Sequence, residues 1–262
     1  GVSKDGYTMG DGERMLLGAE PSTYYLTCNT TAEPFNNADL RRGISLAINR
    51  ENLIRILGGN NQVANTYTAK GLTEYDGEDY TSMISSSAKD LYKYQPSKAK
   101  EYWQKGLSEL GKSSLTLKLR TSDSDGGKKT GEALQSMLET QLPGLKLTVT
   151  SVPFKTRLAR RENGQFQICG SDWIADFADP ISFLDLFTST NPENNGKWKN
   201  ATYDKLIADS KTTSSTSKRW SNLTKAENIL LKDAGVAPLY YSTTASLIIR
   251  PSVKGVIQNR GT

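Results

Sequence analysis

Between Leu115 and Phe166 the period of the hydrophobic pattern switches repeatedly, and this restricts the fold more than any other feature of the chain. Leu115, Leu117 and Leu119 alternate with polar residues, Thr130 to Leu142 carries a helical pattern, and Leu145, Leu147 and Val149 alternate again. A second helical stretch, Phe154 to Arg161, leads to a further strand that opens at Phe166 and Ile168. Strand, helix, strand, helix, strand predicts parallel pairing with right-handed crossovers, hence an α/β fold. Ligands of open α/β sheets lie beyond the carboxyl ends of the strands. Here that place falls to Trp173, Ile174, Ala175, Asp176, Phe177, Asp179 and Pro180, read as an ordered loop before a short helix from Ile181 to Phe187. Pro180 cannot extend a sheet ladder and holds Asp179 extended.

Aromatics beside carboxylates have two readings. Asp176 and Asp179 can cap the following helix while Trp173 and Phe177 fill the core. Alternatively, a carboxylate fenced by Trp173 and Phe177 is a receptor for a cation, because hiding it without one is costly.

The chain has 262 residues and no histidine, which removes imidazole acid-base chemistry, His-based triads and His metal sites. Its 33 basic residues are interleaved with 28 acidic ones, so the net charge of +5 forms no basic groove and nucleic acid is not an expected partner. No run approaches the ~18 apolar residues that span a bilayer, and no signal peptide opens the chain. Cys28 and Cys169 each fall in an expected strand and read as buried free thiols, with a bridge between them as the alternative that spacing leaves open.

Along the chain, residues 1 to 20 read as a loop or the remnant of a neighbouring element, Thr23 to Thr30 as a strand, Ala38 to Ile48 as a helix capped by Asn37, and Arg50 to Leu57 as a second helix capped by Asn49. Residues 60 to 93 read as irregular surface loops carrying short elements. A helix follows from Pro96 to Leu110, closed by Gly111. Asp123 to Gly127 reads as a polar turn, since Leu134 stands where a calcium loop needs its closing glutamate. Thr212 to Ser217 is a short linker before a helix from Lys218 to Asp233.

Five separated motifs resemble one family. Trp173-x-Ala175-Asp176-Phe177-x-Asp179-Pro180, followed by Ser182-Phe183-Leu184, is similar to the signature loop of the family 5 extracellular solute-binding proteins, the oligopeptide and dipeptide receptors of ABC importers. Asn29-Thr30, Pro34-Phe35-Asn36, Leu40-Arg41 and Ile44 to Asn52 resemble the segment by which that family crosses its hinge. Tyr94 to Lys100, the Tyr203-Asp204-Lys205-Leu206-Ile207 element and Ala237 to Tyr241 with the Pro251-x-Val253-Lys254-Gly255 ending resemble the rest, in the family's order. The resemblance implies a periplasmic-binding-protein-like type II lobe, a mixed sheet of strand-helix-strand units flanked by helices. It implies a fragment: residues 1–28 from the neighbouring lobe and hinge strand, 29–242 the carboxy-terminal ligand-binding lobe, and 243–262 returning towards the other lobe.

For function, the resemblance implies an oligopeptide held between two lobes and delivered to ABC permease subunits, with no catalysis and no cofactor. It implies a monomer at the extracellular face or in the periplasm, held to the membrane only by a lipid anchor absent from this chain. Asp176 takes the peptide's α-amino group, with Trp173, Phe177, Ile174 and Ala175 around it. Arg161 matches a position where some members reach the ligand's carboxylate. Asp179 is assigned to helix capping. Members binding oligosaccharides or metal chelates are an alternative within the family. Outside it, the alternative is a hydrolase acting on sugars through Asp172, Asp176 and Asp179.

Overall fold

The computed structural model describes residues 18–153 and 165–246. The frame is a six-stranded mixed sheet of spatial order β2-β8-β1-β7-β5-β6, where β1 is Gly18–Cys28, β2 Gln62–Val63, β5 Leu115–Ser122, β6 Leu145–Val152, β7 Ile168–Ile174 and β8 Ala237–Ser246. A separate two-stranded ribbon pairs β3, Glu74–Tyr75, with β4, Glu78–Asp79. The expected parallel core is present: β5 pairs in parallel with β6 from Leu115/Leu145 to Ser122/Val152, and with β7 at Leu119/Ile168 and Arg120/Cys169. Antiparallel β1 and β8 complete the sheet. Helices α3, Ser86–Lys89, and α4, Pro96–Leu110, precede β5, and α5, Asp125–Gln141, crosses from β5 to β6. The helix expected over Phe154 to Arg161 and the Pro251 to Gly255 ending lie outside the described residues.

Several boundaries differ from the sequence reading, each for a physical reason. Strand β1 starts at Gly18, inside the stretch read as loop, because β8 pairs with it from Gly18/Ser246 onward, and it ends at Cys28 rather than Thr30. Helix α1, Ala38–Leu46, stops short of Ile48, so that Asn49 can cap α2, Arg50–Leu57, by accepting the Asn52 amide at 3.0 Å. Asn37 caps α1 as expected, accepting from the Leu40 amide at 3.1 Å. The Asp123 to Gly127 turn is in fact the start of α5: Ser124 accepts the Gly127 amide at 3.0 Å. A side chain at Gly127 would collide with Ser122, whose Oγ lies 2.2 Å from where a Cβ would stand.

Residues 60 to 93 are not the surface loops their composition suggests. Tyr67, Tyr80 and Tyr92 are fully buried, as are Thr66 and Thr68. Their anchor is remote in sequence. The buried Glu227 carboxylate, on α8 (Thr216–Lys232), accepts the Tyr67 and Thr68 amides at 2.8 and 3.0 Å, the Thr68 hydroxyl at 2.6 Å and the Tyr80 hydroxyl at 3.0 Å. Burial raises its pKa, and those same donors oppose the shift. Leaving several such donors without an acceptor costs about 1–3 kcal/mol each when buried, so this one carboxylate anchors the part of the segment that runs from Tyr67 to Tyr80.

Two buried arginines belong to the motifs at Leu40-Arg41 and Asn49-Arg50. Arg41 donates to the carbonyls of Phe35, Asp233 and Ala234 at 2.6, 2.9 and 3.1 Å. Arg50 donates to the carbonyls of Ser45 and Pro238, both at 2.9 Å. Arg41 ties α1 to the end of α8 and Arg50 ties α2 to the start of β8, so these motif residues serve the fold. Cys28 and Cys169 are both buried thiols, and no disulfide joins them.

Register decides what each face of the sheet carries. Tyr24 lies opposite Asp172, Leu26 opposite Gly170 and Ile168 opposite Leu119, on one face. Thr23 opposite Trp173 and Tyr25 opposite Ser171 belong to the other. On that second face Tyr25 meets Tyr67 and Phe187 edge-on, at ring distances of 5.2 and 6.1 Å. The connection after β7, comprising α6 (Ile181–Leu184) and the 3-10 turn Asp185–Phe187, is thereby packed onto the sheet.

Candidate ligand site at the end of strand β7

Trp173 is not in a loop. Strand β7 runs through Ile174, because β1 continues beside it to Ser22, and the Ala175 amide still donates to the Pro21 carbonyl at 3.1 Å. Alternation then points Trp173 to the face of Tyr25 and Phe187. Its indole N–H donates to the Ser182 carbonyl at 2.7 Å.

Ser182 is the hub of the turn that follows. Besides accepting the Trp173 indole, it accepts the Asp176 amide on its hydroxyl at 3.0 Å and donates its own amide to the Asp179 carbonyl at 3.0 Å. Asp179 caps the first turn of α6, its Oδ1 accepting the Ile181 amide at 2.9 Å. The same oxygen accepts Arg219 Nη2 of α8 at 2.8 Å.

This scaffolding leaves Asp176 on the solvent side of the turn with Phe177, while Ala175 is buried beneath. Phe177 and Ile174 are 38% and 40% exposed, large values for such apolar side chains. A pocket of about 430 Å³ opens beside Phe177. It is lined by Trp173, Asp176, Phe177, Ile181, Ser182 and Leu186 together with Asp185, Asn191 and Lys211. Lys211, from α7 (Ala201–Thr212), pairs with Asp185 at 2.7 Å. That pair and Asn191 also line a second concavity of about 580 Å³, so they form the partition between the two.

The motif at Tyr203-Asp204 supports this wall from behind. The Tyr203 hydroxyl donates to the Leu184 carbonyl at 2.5 Å, and Asp204 accepts the Ser189 amide and hydroxyl at 3.0 and 2.6 Å.

Of the residues singled out in the sequence, Trp173, Asp176 and Phe177 share this pocket. Ile174 and Ala175 adjoin it in sequence, while Arg161 lies outside the described residues. Sequence reasoning missed Ser182, Asp185, Asn191, Lys211 and Arg219. Ser182 stood in the quoted motif without a role; Lys211 and Arg219 join the site from two later helices, and no local signal marks them. The three aspartates of the hydrolase alternative do not form one site. Asp179 is bound to Arg219, and Asp172 occupies the sheet face opposite Trp173. Among the described residues, no group of three His, Cys, Asp or Glu side chains could hold a metal ion, and no helix is long and apolar enough to cross a membrane.

The sequence profile of the bacterial extracellular solute-binding proteins, family 5 Middle, matches residues 4–195. The chain belongs to this family. It is 29% identical over 251 residues to the dipeptide-binding protein DppE of Bacillus subtilis, a match that spans 95% of this chain and 45% of that protein. It is 33% identical over 225 residues to a dipeptide-binding protein of Lactococcus lactis, covering 84% of this chain and 40% of the relative. The structure of Listeria monocytogenes OppA bound to peptide superposes with a TM-score of 0.76 at 34% identity, over 86% of this chain and 43% of that one. The family 5 chain thus has the periplasmic-binding-protein-like architecture that the motifs implied, and it spans less than half the length of these relatives.

Proposed function

We propose that this family 5 chain contributes the ligand-binding wall of a peptide-binding component of an ABC importer, with Asp176 pairing with the α-ammonium group of an extended peptide. The observation that carries the reading is the placement of Asp176: at the carboxyl end of β7, on the solvent side of a turn pinned by Ser182, at a pocket shared with Trp173 and Phe177. A charge-assisted hydrogen bond of this kind contributes roughly 1.5–3 kcal/mol net. Phe177, exposed here, would exclude water once a ligand and an opposing lobe cover it, whereas Ile174, on the sheet face of Asp172, is assigned to the site by resemblance alone. The peptide's first side chain would enter the pocket. Arg161 is assigned the ligand carboxylate by resemblance alone.

Strands β1 and β8 pair as far as Gly18 and Ser246, past the last residue of β7 and on the side of the ligand turn. This two-stranded ribbon supports residues 1–28 and 243–262 as the links to a second lobe, with closure of two lobes around the peptide. The relatives' names describe binding proteins, which supports a binding role over catalysis and favours peptides over sugars or chelates. Delivery to permease subunits, a monomeric state, and lipid anchoring at the extracellular face or a periplasmic location complete the proposal.

The test is calorimetric titration of the intact native polypeptide with a short peptide and with the same peptide N-acetylated. Acetylation and Asp176→Ala are each expected to weaken binding by roughly 10- to 150-fold. Equal binding of both peptides to wild type would refute the assignment.

A further inference from the structure

We infer that Arg219 is the positioning residue of the ligand turn, holding Asp176 in place through Asp179 and Ser182. This rests on the reading of Asp176 given above. Residues 176 to 178 are exposed, and α6 is too short to be stable by itself, so the turn's geometry must be imposed from outside it. The chain of contacts that imposes it can be followed atom by atom. Arg219 Nε donates to the Ser210 carbonyl, in the last turn of α7, at 3.2 Å, while Nη2 donates to Asp179 Oδ1 at 2.8 Å. Asp179 passes the restraint on in two ways: its side chain accepts the Ile181 amide at 2.9 Å and its carbonyl accepts the Ser182 amide at 3.0 Å. Ser182 then holds the Asp176 amide.

The guanidinium suits this task. Its planar fork reaches a carbonyl at a helix C-terminus and a carboxylate at once, whereas an ammonium is a single point charge. Arg219 and Asp179 are 25% and 22% exposed, so the pair is shielded enough to be directional without being buried at a high desolvation cost. Asp179 is thereby committed to the protein.

The test compares affinities for the free-amine and N-acetylated peptides in Arg219→Ala, Arg219→Lys and Asp179→Asn variants of the intact native polypeptide, beside Asp176→Ala. The expected result is that Arg219→Ala lowers affinity for the free-amine peptide about tenfold, leaves the acetylated peptide unaffected, and adds nothing to Asp176→Ala. Arg219→Lys is expected to restore only part of the preference. Amide exchange should accelerate at residues 176–182 and not in β5 or β6. A folded Arg219→Ala variant with undiminished preference for the free amine would overturn the inference; should that variant not fold, Asp179→Asn decides on the same criterion. If Asp176→Ala keeps the preference, it is the reading of Asp176 that falls, a result distinct from the failure of the latch.

Discussion

The Trp173 indole is hydrogen-bonded to the carbonyl of Ser182, nine residues further along, at 2.7 Å. That one bond folds the chain back on itself, so that the hydroxyl of the same serine meets the Asp176 amide. The turn's geometry therefore depends on a strand residue and a helix residue more than on the turn residues themselves.

Ser182→Ala removes the acceptor of the Asp176 amide while leaving the carbonyl that holds Trp173. A net hydrogen bond of roughly 0.5–1.5 kcal/mol is lost, which predicts a 2- to 10-fold weaker affinity for a free-amine peptide. Affinity for the N-acetylated peptide should hardly move. Titration calorimetry on both peptides checks this, and equal losses for the two would point to general disruption of the pocket instead.

The pocket beside Asp176 joins apolar walls, Trp173, Ile181 and Leu186, to a polar end formed by Asp185, Asn191 and Lys211. An apolar tip seated against the Asp185–Lys211 pair would desolvate it without replacing its hydrogen bonds. First residues with an aliphatic stem and a hydrogen-bonding tip, such as glutamine or glutamate, are therefore expected to bind better than leucine or phenylalanine. Lys211→Met should reverse that order by a few-fold in a series of peptides varied at the first position; an unchanged order would remove the pocket from specificity.

How far the site could be read from the sequence depended on the range of the interactions. The β5-α5-β6 unit was legible because Leu115 to Leu119 and Leu145 to Val149 carry a clean two-residue period, and Asn37 and Asn49 stand where caps are needed. The strand character of Trp173 was hidden, since Asp172 and Ile174 occupy the exposed end of β7 and only pairing with β1 declares them. The buried tyrosines at 67, 80 and 92 looked like surface because glycine, threonine and serine surround them; the Tyr67 amide and the Tyr80 and Tyr92 hydroxyls are satisfied by partners far along the chain, Glu227 above all. Arg219 and Asp179 lie 40 residues apart, and nothing local to either announces the pair.

Asp172 faces Tyr24 on the sheet side away from the pocket, and burial pushes its carboxyl up to about 6, although the residue as a whole remains accessible to solvent. A carboxylate with a raised folded-state pKa contributes stability that is complete below its unfolded value, near 3.8, and is lost as pH rises through about 6. Thermal denaturation of wild type relative to Asp172→Asn should therefore show the wild-type protein losing ground between about pH 4 and pH 6. Parallel curves across that window would mean that Asp172 is ordinarily solvated.

Among the described residues β6 is an edge strand, and at Leu147 its outward backbone groups are met by side chains rather than by another strand. Leu147 donates its amide to Glu139 Oε2 and accepts Gln135 Nε2 on its carbonyl, both at 2.7 Å, so α5 occupies the groups that an incoming strand would use. An uncovered edge is a template for pairing with another chain. The double variant Gln135→Ala, Glu139→Ala should lose only about 1–3 kcal/mol from two hydrogen bonds, yet self-associate more readily. Light scattering over a concentration series separates these effects. Increased scattering at temperatures where the variant is still folded is the expected outcome, and a monomeric variant would show that the edge is protected by other means.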